Sequence, residues 1–387
     1  MKRINPLKAI TTFVLITLIT AFITLETPLT TTLAFGNQSL QNSTITLNQF
    51  AALPQLNLDN KQSISSYPVV SKNVTNNYLT TSNSPSLNSP PQADIKDITC
   101  AKIWNAYPQG GYAIPDWLYT PSKAADLQTN EPYSYLAGKL LQTGLAAAPN
   151  CPYNGLLPTG FSSQCGLEAI RSEVNSWQNQ FDEGIYNSAI KNAVPARLLK
   201  NIFAQESQFW LGQSDDNQHF GLGQITEGGL DPLFLAYPEY YQLVCSDVLS
   251  TDTCKAKYAE LSNQNKGLIR GYFLRNVIDT SCPECPKKFN EKKAADTVDI
   301  FARLVIANCE QVGRVIVDIT ERKPGTISTY DDLWRYTMVN YNAGSGCVSG
   351  AIEKTFQLNE PLDWQHVADN MASRCSTALD YVEKVSR

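Results

Sequence analysis

Apolar side chains recur every three or four residues over long stretches of this chain, a spacing that predicts amphipathic helices. Strand-like alternation never spans more than a few residues, and no internal repeat is visible. The expected helices are Leu167–Phe181, Gly184–Asn192, Pro195–Trp210, Ala294–Thr320, Asp331–Asn340 and Ser373–Val385, with a shorter one around Tyr133–Ala147. The pattern predicts a mainly α fold, in a chain of 387 residues that can form one large domain or two modest ones.

The N-terminal part of the chain divides into two segments of different composition. In residues 1–36, basic residues precede an uncharged apolar run at 9–25. This is the pattern of a signal peptide, and the run is also just long enough to serve as a membrane anchor. Residues 37–93 are dense in Ser, Asn, Thr and Pro with almost no charge, which predicts a disordered linker. We therefore expect an exported protein of the cell envelope or the extracellular space, with a cleaved signal favoured over an anchor.

Charge and cysteine content narrow the choice of partners. A net charge of −5 leaves no excess of basic side chains to neutralise phosphates, so we expect no nucleic-acid partner. The ten cysteines are an even number in an exported chain and predict disulfides, whose pairing the sequence leaves open. A zinc site built from Cys245, Cys254, Cys282 and Cys285 is the alternative, because Cys282-Pro-Glu-Cys285 has metal-ligand spacing. We favour the disulfides.

The folded part is expected to begin near residue 94. Residues 94–166 form a Tyr- and Pro-rich extension that contains Cys100, Cys151 and Cys165. The helical pattern then runs over 167–387 and is interrupted at about 231–293 by a segment that holds four further cysteines. These boundaries predict an N-terminal extension followed by one helical domain with a cysteine-containing insertion.

The predicted helix Pro195–Trp210 carries a carboxylate where apolar residues are expected. At about 100° per residue, six apolar side chains fall within an arc of about 140°, and Glu206 lies near the middle of that arc, whereas Lys200 lies on the opposite face. The six are Leu198, Leu199, Ile202, Phe203, Phe209 and Trp210. An unpaired carboxylate in apolar surroundings usually stays protonated, with a raised pKa. Such an acid can protonate a glycosidic oxygen near neutral pH. The alternative is a buried Glu that is neutralised by an Arg or by backbone donors.

A glycine-containing segment, residues 219–225, follows this helix. Gly221 and Gly223 stand on either side of Leu222 and permit close approach of the backbone to a ligand. The Gln224 side chain can hydrogen-bond the hydroxyl or acetamido groups of a sugar. Because glycine-rich turns are common, this segment by itself indicates little.

A third segment, residues 339–347, places Tyr341 and Asn342 where a helix is expected to run into a glycine-rich turn. Together the segments resemble the catalytic domain of the soluble lytic transglycosylases, a lysozyme-like family that carries Glu-Ser, Gly-Leu-Met-Gln and Ala-Tyr-Asn-Ala-Gly in this order. The corresponding residues are Glu206-Ser207, Gly221-Leu222-Gly223-Gln224 and Asn340-Tyr341-Asn342-Ala343-Gly344, with eighteen residues from Glu206 to Gln224, as in the family. The resemblance covers about 183–228 and 294–350 and implies a lysozyme-like helical fold.

The resemblance also implies a reaction on the glycan strands of peptidoglycan. Glu206 would protonate the oxygen between N-acetylmuramic acid and N-acetylglucosamine, then take the proton of the muramic 6-hydroxyl, giving a 1,6-anhydro sugar. Further roles would be positioning of Glu206 or the sugar by Ser207, lining of the cleft by Gly221, Leu222 and Gln224, a hydrogen bond near Glu206 from Tyr341, and support of the substrate or the turn by Asn342. Neither a metal nor an organic cofactor is implied.

Two departures from the family pattern stand out. Gly223 replaces the usual Met, which removes an apolar contact from the cleft and leaves the fine substrate preference open. The insertion at about 231–293 makes the interval between Gln224 and Tyr341 about twice that of a minimal family member. This insertion could lengthen the substrate groove, dock a protein partner, or be no more than a tolerated surface feature.

Two other functions stay open. A hydrolytic lysozyme-type muramidase needs a second carboxylate as base or nucleophile, and Asp215 and Asp216 are the nearby candidates. A non-catalytic glycan-binding module could also keep the fold, although the presence of Glu206 argues against it. The sequence therefore predicts a peptidoglycan lytic transglycosylase.

Overall fold

Helices make up most of the residues that the computed structural model describes, which are 99–107, 113–212 and 218–387. The α-helices α1 to α14 are, in chain order, Thr99–Trp104, Ser134–Gln142, Gln164–Ala169, Arg171–Asn179, Asp182–Asn192, Ala196–Ser207, Asp231–Ala236, Pro238–Val248, Asn263–Phe273, Glu291–Thr320, Tyr330–Ala343, Ser345–Gln357, Trp364–Asp369 and Thr377–Val385. A π-helical turn, Leu274–Ile278, follows α9. Over these residues β pairing is limited to isolated bridges, so the predicted mainly α fold class is confirmed.

The predicted signal segment 1–36 and the predicted linker 37–93 lie outside the described residues. Within the part of the chain that the structure describes, no helix has both the length and the apolar character that crossing a bilayer requires.

Helix α10 forms the centre of the core. Its start is fixed by Asn290, whose side-chain oxygen accepts a hydrogen bond from the backbone N–H of Lys293 at 3.0 Å. Its end is marked by Glu321, which has a left-handed φ of 57°. Between these points buried residues recur around the helix, and α10 contacts α1, α5, α7, α11 and α12. A helix buried on most of its circumference organises the others around itself.

The N-terminal extension belongs to the same core. The indole N–H of Trp104 donates to the carbonyl oxygen of Cys309 at 2.9 Å, and the Trp104 ring packs edge-on against Trp334 with 5.2 Å between centroids. A disulfide joins Cys100 on α1 to Cys309 on α10. The predicted boundary between residues 166 and 167 lies inside α3.

All ten cysteines are paired, in the disulfides Cys100–Cys309, Cys151–Cys165, Cys245–Cys254, Cys282–Cys285 and Cys347–Cys375. The predicted disulfides are therefore present. The four cysteines of the zinc alternative lie in two separate disulfides here, and a sulfur atom in a disulfide is not the thiolate that binds zinc. The insertion at about 231–293 contains α7, α8, α9 and two short-range disulfides.

Several predicted helix bounds differ from the structure. The segment Leu167–Phe181 is broken at Ile170, whose backbone leaves the helical region, so that α3 and α4 are separate. The helix predicted to reach Trp210 ends at Ser207, since Gln208 and Phe209 have φ values of 47° and 65°. Lys200, predicted on the polar face, is only 3% exposed. Helix α12 and the helices of the insertion were not predicted.

Candidate functional site

Helix α6 carries Glu206 near its C-terminal end. Its apolar face, including Leu198, Ile202 and Phe203, is fully buried, and the helix contacts α5 and α14. Glu206 is on this face but keeps part of its side chain open to solvent. The helical phase thus places a carboxylate at the edge of the core, as the sequence predicted.

Burial in apolar surroundings raises the pKa of Glu206 to about 7, while the nearby Tyr381 hydroxyl lowers it. Among the described residues, no Lys or Arg side chain forms an ion pair with Glu206. The C-terminal end of a helix also offers no positive potential that would favour the anion. At neutral pH the acid and the carboxylate are therefore both populated, which suits a group that must give and then take a proton.

Two tyrosines flank this carboxyl group. Tyr341 comes from α11 and Tyr381 from α14, with ring centroids 6.5 Å apart. Burial and the charge of Glu206 raise the pKa of both hydroxyls. The Tyr381 hydroxyl is buried and makes no well-formed hydrogen bond to any residue that the structure describes. It nevertheless lies close enough to Glu206 to lower the pKa of that carboxyl group by donating to its charged form.

The segment 220–225 forms a tight hairpin beside the end of α6. Phe220 and Ile225 exchange two backbone hydrogen bonds, with N–O distances of 3.1 and 2.9 Å. Gly221 has a φ of 68°, a left-handed conformation that favours glycine. The side-chain amide of Gln224 donates to the carbonyl oxygen of Gly221 at 2.8 Å, which closes the hairpin.

Ser207 and Tyr341 hold this hairpin from two sides. The Ser207 hydroxyl donates to the carbonyl oxygen of Leu222 at 2.8 Å. The Tyr341 hydroxyl donates to the carbonyl oxygen of Gly223. The three sequence segments singled out by the resemblance therefore meet in space, around the end of α6.

The predicted substrate-binding residues have different environments. Ser207, Gly221 and Leu222 are buried, so they support the hairpin and offer no side chain to a ligand at the surface. Gln224 is partly exposed and Asn342, near the end of α11, is exposed. Substrate contact by these last two side chains stays a prediction.

The space beside Gly223, where the family carries a Met, is filled by a side chain from another helix. A Cβ atom on Gly223 would overlap the ring of Phe301 on α10. That ring packs against Phe203 and Tyr341, with centroids 4.9 and 5.5 Å apart. Phe301 thus supplies the apolar contact that Gly223 lacks, and only glycine leaves room for it.

Sequence reasoning missed Tyr381 and Phe301. Each lies on a predicted helix, but no motif separates either of them from the other aromatic core residues.

Asp215 and Asp216, the predicted candidates for a second carboxylate, lie outside the described residues. Comparison with models of known families, with curated proteins and with solved structures found no match.

Proposed function

We propose that this protein is a peptidoglycan lytic transglycosylase in which Glu206 acts as both acid and base. The observation that carries the proposal is the carboxyl group of a partly buried residue, Glu206, with a pKa of about 7, no cationic partner among the described residues and two tyrosine hydroxyls beside it. Strongly perturbed carboxyl groups that face solvent concentrate at catalytic sites. The three segments that resemble the transglycosylase family surround this group.

In the proposed reaction Glu206 donates its proton to the glycosidic oxygen as the bond from that oxygen to C1 of N-acetylmuramic acid breaks. The departing sugar keeps the proton as a hydroxyl, and positive charge develops at C1. The Glu206 carboxylate then takes the proton of the muramic 6-hydroxyl, whose oxygen bonds to C1. Glu206 ends protonated and ready for another cycle.

This route needs one carboxyl group, because the nucleophile comes from the substrate itself. A hydrolytic route instead requires a second carboxylate to activate water or to attack C1. Within the described residues, no other carboxylate contributes to the pKa shift of Glu206. The Tyr381 hydroxyl can donate to the carboxylate formed after the first proton transfer, which stabilises the base for the second.

Digestion of purified cell-wall sacculi tests the proposal. The wild-type protein should release fragments that end in 1,6-anhydro sugars, as identified by mass spectrometry, and Glu206→Gln should release almost none. Glu353→Gln is a matched control, because Glu353 is an exposed glutamate on α12. Products with reducing ends would show hydrolysis instead, and unchanged release by Glu206→Gln would exclude Glu206 as the catalytic acid.

A further inference from the structure

A groove of about 380 Å³ lies between the segment 218–228 and the insertion. One wall consists of residues in that segment, among them Phe220 and Glu227. The other wall consists of Gly271 on α9 with Leu274 and Arg275 in the π-helical turn. The volume is within the range of sites that bind small ligands.

One wall of the groove is linked to the proposed catalytic helix by a hydrogen bond, and the other wall belongs to the insertion. Its first wall includes Phe220, which begins the hairpin that Ser207 of α6 holds through the carbonyl oxygen of Leu222. Its second wall belongs wholly to the insertion at 231–293. A ligand in the groove would therefore contact the segment that Ser207 anchors, on a surface that only the insertion completes.

The groove combines buried apolar residues with exposed charged ones, and Gln218 and Thr226 add polar side chains to its lining. Phe220 is 7% exposed, Leu274 is 1% exposed, and Gly271 has no side chain. Arg275 and Glu227 are exposed, and their charged ends converge above Gly271. A Cβ atom built on Gly271 would lie 3.0 Å from a guanidinium nitrogen of Arg275 and 3.4 Å from a carboxylate oxygen of Glu227. The two side chains nevertheless form no ion pair, so both can bind a ligand.

This chemistry favours a peptide over a sugar. Proteins commonly bind sugars against the exposed face of an aromatic ring, and the Phe220 ring is buried. Charges of opposite sign, close together over a glycine, instead match a short chain that carries both a carboxylate and an ammonium group. Arg binds carboxylates with paired, charge-assisted hydrogen bonds, and Glu accepts such bonds from an ammonium group.

We propose that this groove binds the short peptide attached to the glycan strand, with Arg275 on a peptide carboxylate and Glu227 on a peptide ammonium group. The inference rests on the proposed function, since the peptide is a substituent of the muramic acid residue beside the bond that Glu206 would cleave. The insertion then acts as a specificity element that selects strands whose peptides are still attached.

Binding of a free peptide tests the groove without any catalysis. The probe is a synthetic tetrapeptide, Ala-γ-Glu-Lys-Ala, titrated into the Glu206→Gln protein by calorimetry. Adding Arg275→Ala to that protein should weaken binding by about 5- to 10-fold, and binding should weaken with salt because the charged side chains of the groove are exposed. Arg314→Ala, which removes an exposed arginine of α10, is the matched control and should change nothing. No binding to the starting protein, or equal binding with Arg275→Ala, would overturn the proposal.

Kinetics on two substrates distinguish the peptide from the glycan. On strands that keep their peptides, Arg275→Ala and Glu227→Gln should raise KM by about 5- to 10-fold with little change in kcat. On strands stripped of peptides by an amidase, the same variants should match the wild type. Equal losses on both substrates would show that the groove binds sugar. If the proposed function is wrong, Glu206→Gln keeps full lytic activity. The tetrapeptide titration measures binding alone, so its result tests the groove independently of that activity.

Discussion

Two carboxyl groups in neighbouring helices, Asp182 of α5 and Glu206 of α6, avoid the cost of an isolated buried charge in opposite ways. Asp182 is 5% exposed, and its carboxylate accepts a hydrogen bond from the Lys200 ammonium group at 2.7 Å. That ammonium group also donates to Leu127 and Asn179 at 2.6 and 2.9 Å. Glu206 has no such partner in the described part of the chain, and its pKa rises to about 7.

Burial acts on both sites, but only one keeps a proton available. At the first site, burial raises the pKa of Asp182 and lowers that of Lys200, while the bond between them opposes both shifts. That pair is closed off from solvent, and the Lys200 ammonium group uses its three N–H groups on Leu127, Asn179 and Asp182, so the pair has no proton to offer a substrate. Burial alone therefore does not mark a catalytic carboxyl group. A candidate catalytic carboxyl group is instead one that is largely buried, has no cation beside it, and still belongs to a residue that is partly exposed to solvent.

The largest expected difference between the two sites is in activity. Glu206→Gln keeps the shape of the side chain but cannot transfer a proton, so the rate of glycan cleavage should fall by about 10³-fold. Asp182→Asn should leave the rate per folded molecule little changed. The measurement is release of soluble fragments from sacculi, normalised to the folded fraction seen by circular dichroism. Equal losses in the two variants would remove the distinction.

Removing the cation should mainly affect stability. Lys200→Met leaves the Asp182 carboxylate buried without its partner, a change that typically costs about 3–5 kcal/mol of unfolding free energy. The double variant Lys200→Met/Asp182→Leu should recover much of that loss, because it also removes the unpaired charge. Urea unfolding of the single and double variants at pH 7 measures both values. A loss below about 1 kcal/mol for the single variant would mean that Lys200 does not offset the cost of burying the Asp182 carboxylate.

Glu206 itself should make the protein less stable as the pH rises. Its pKa in the folded protein, about 7, lies above the ordinary value of 4.5, so the folded state binds the proton more tightly. The associated stability is fully present below pH 4.5 and is lost as the pH rises through 7. Relative to wild type, Glu206→Gln should gain roughly 2–3 kcal/mol between pH 4.5 and pH 8, a figure reduced for partial exposure. Parallel pH dependence of unfolding in the two proteins would contradict the raised pKa.

The two sites also differ in what the sequence could predict. Glu206 was predictable because helical phase alone places it among Leu198, Ile202 and Phe203. The Lys200–Asp182 pair was not, since each residue looks like ordinary surface charge until α5 packs against α6. The early end of α6 was equally hidden, because Gln208 takes a left-handed conformation that its residue type does not signal.

The environment of Glu206 depended on contacts that no local pattern contains. Tyr381 comes from the last helix, and it reaches Glu206 only because α14 packs on both α6 and α11. Phe301 occupies the space beside Gly223, whereas the sequence indicated only that an apolar contact is lost there. The mainly α fold and the three segments that resemble the family's motifs were thus accessible from the sequence, whereas the side chains that set the pKa of Glu206 required the packed structure.

The smallest expected effect concerns Tyr381, whose hydroxyl lowers the pKa of Glu206. Tyr381→Phe should move the fall in activity on the alkaline side to higher pH, by less than about one pH unit, because a hydrogen bond contributes about 1 kcal/mol. Tyr341→Phe instead loses the bond to the Gly223 carbonyl oxygen, so it should lower the rate and leave the midpoint of that fall in place. Rates of fragment release between pH 5 and 9 measure both. An unshifted midpoint in Tyr381→Phe would mean that burial alone sets the proton affinity of Glu206, leaving Tyr381 as a packing residue.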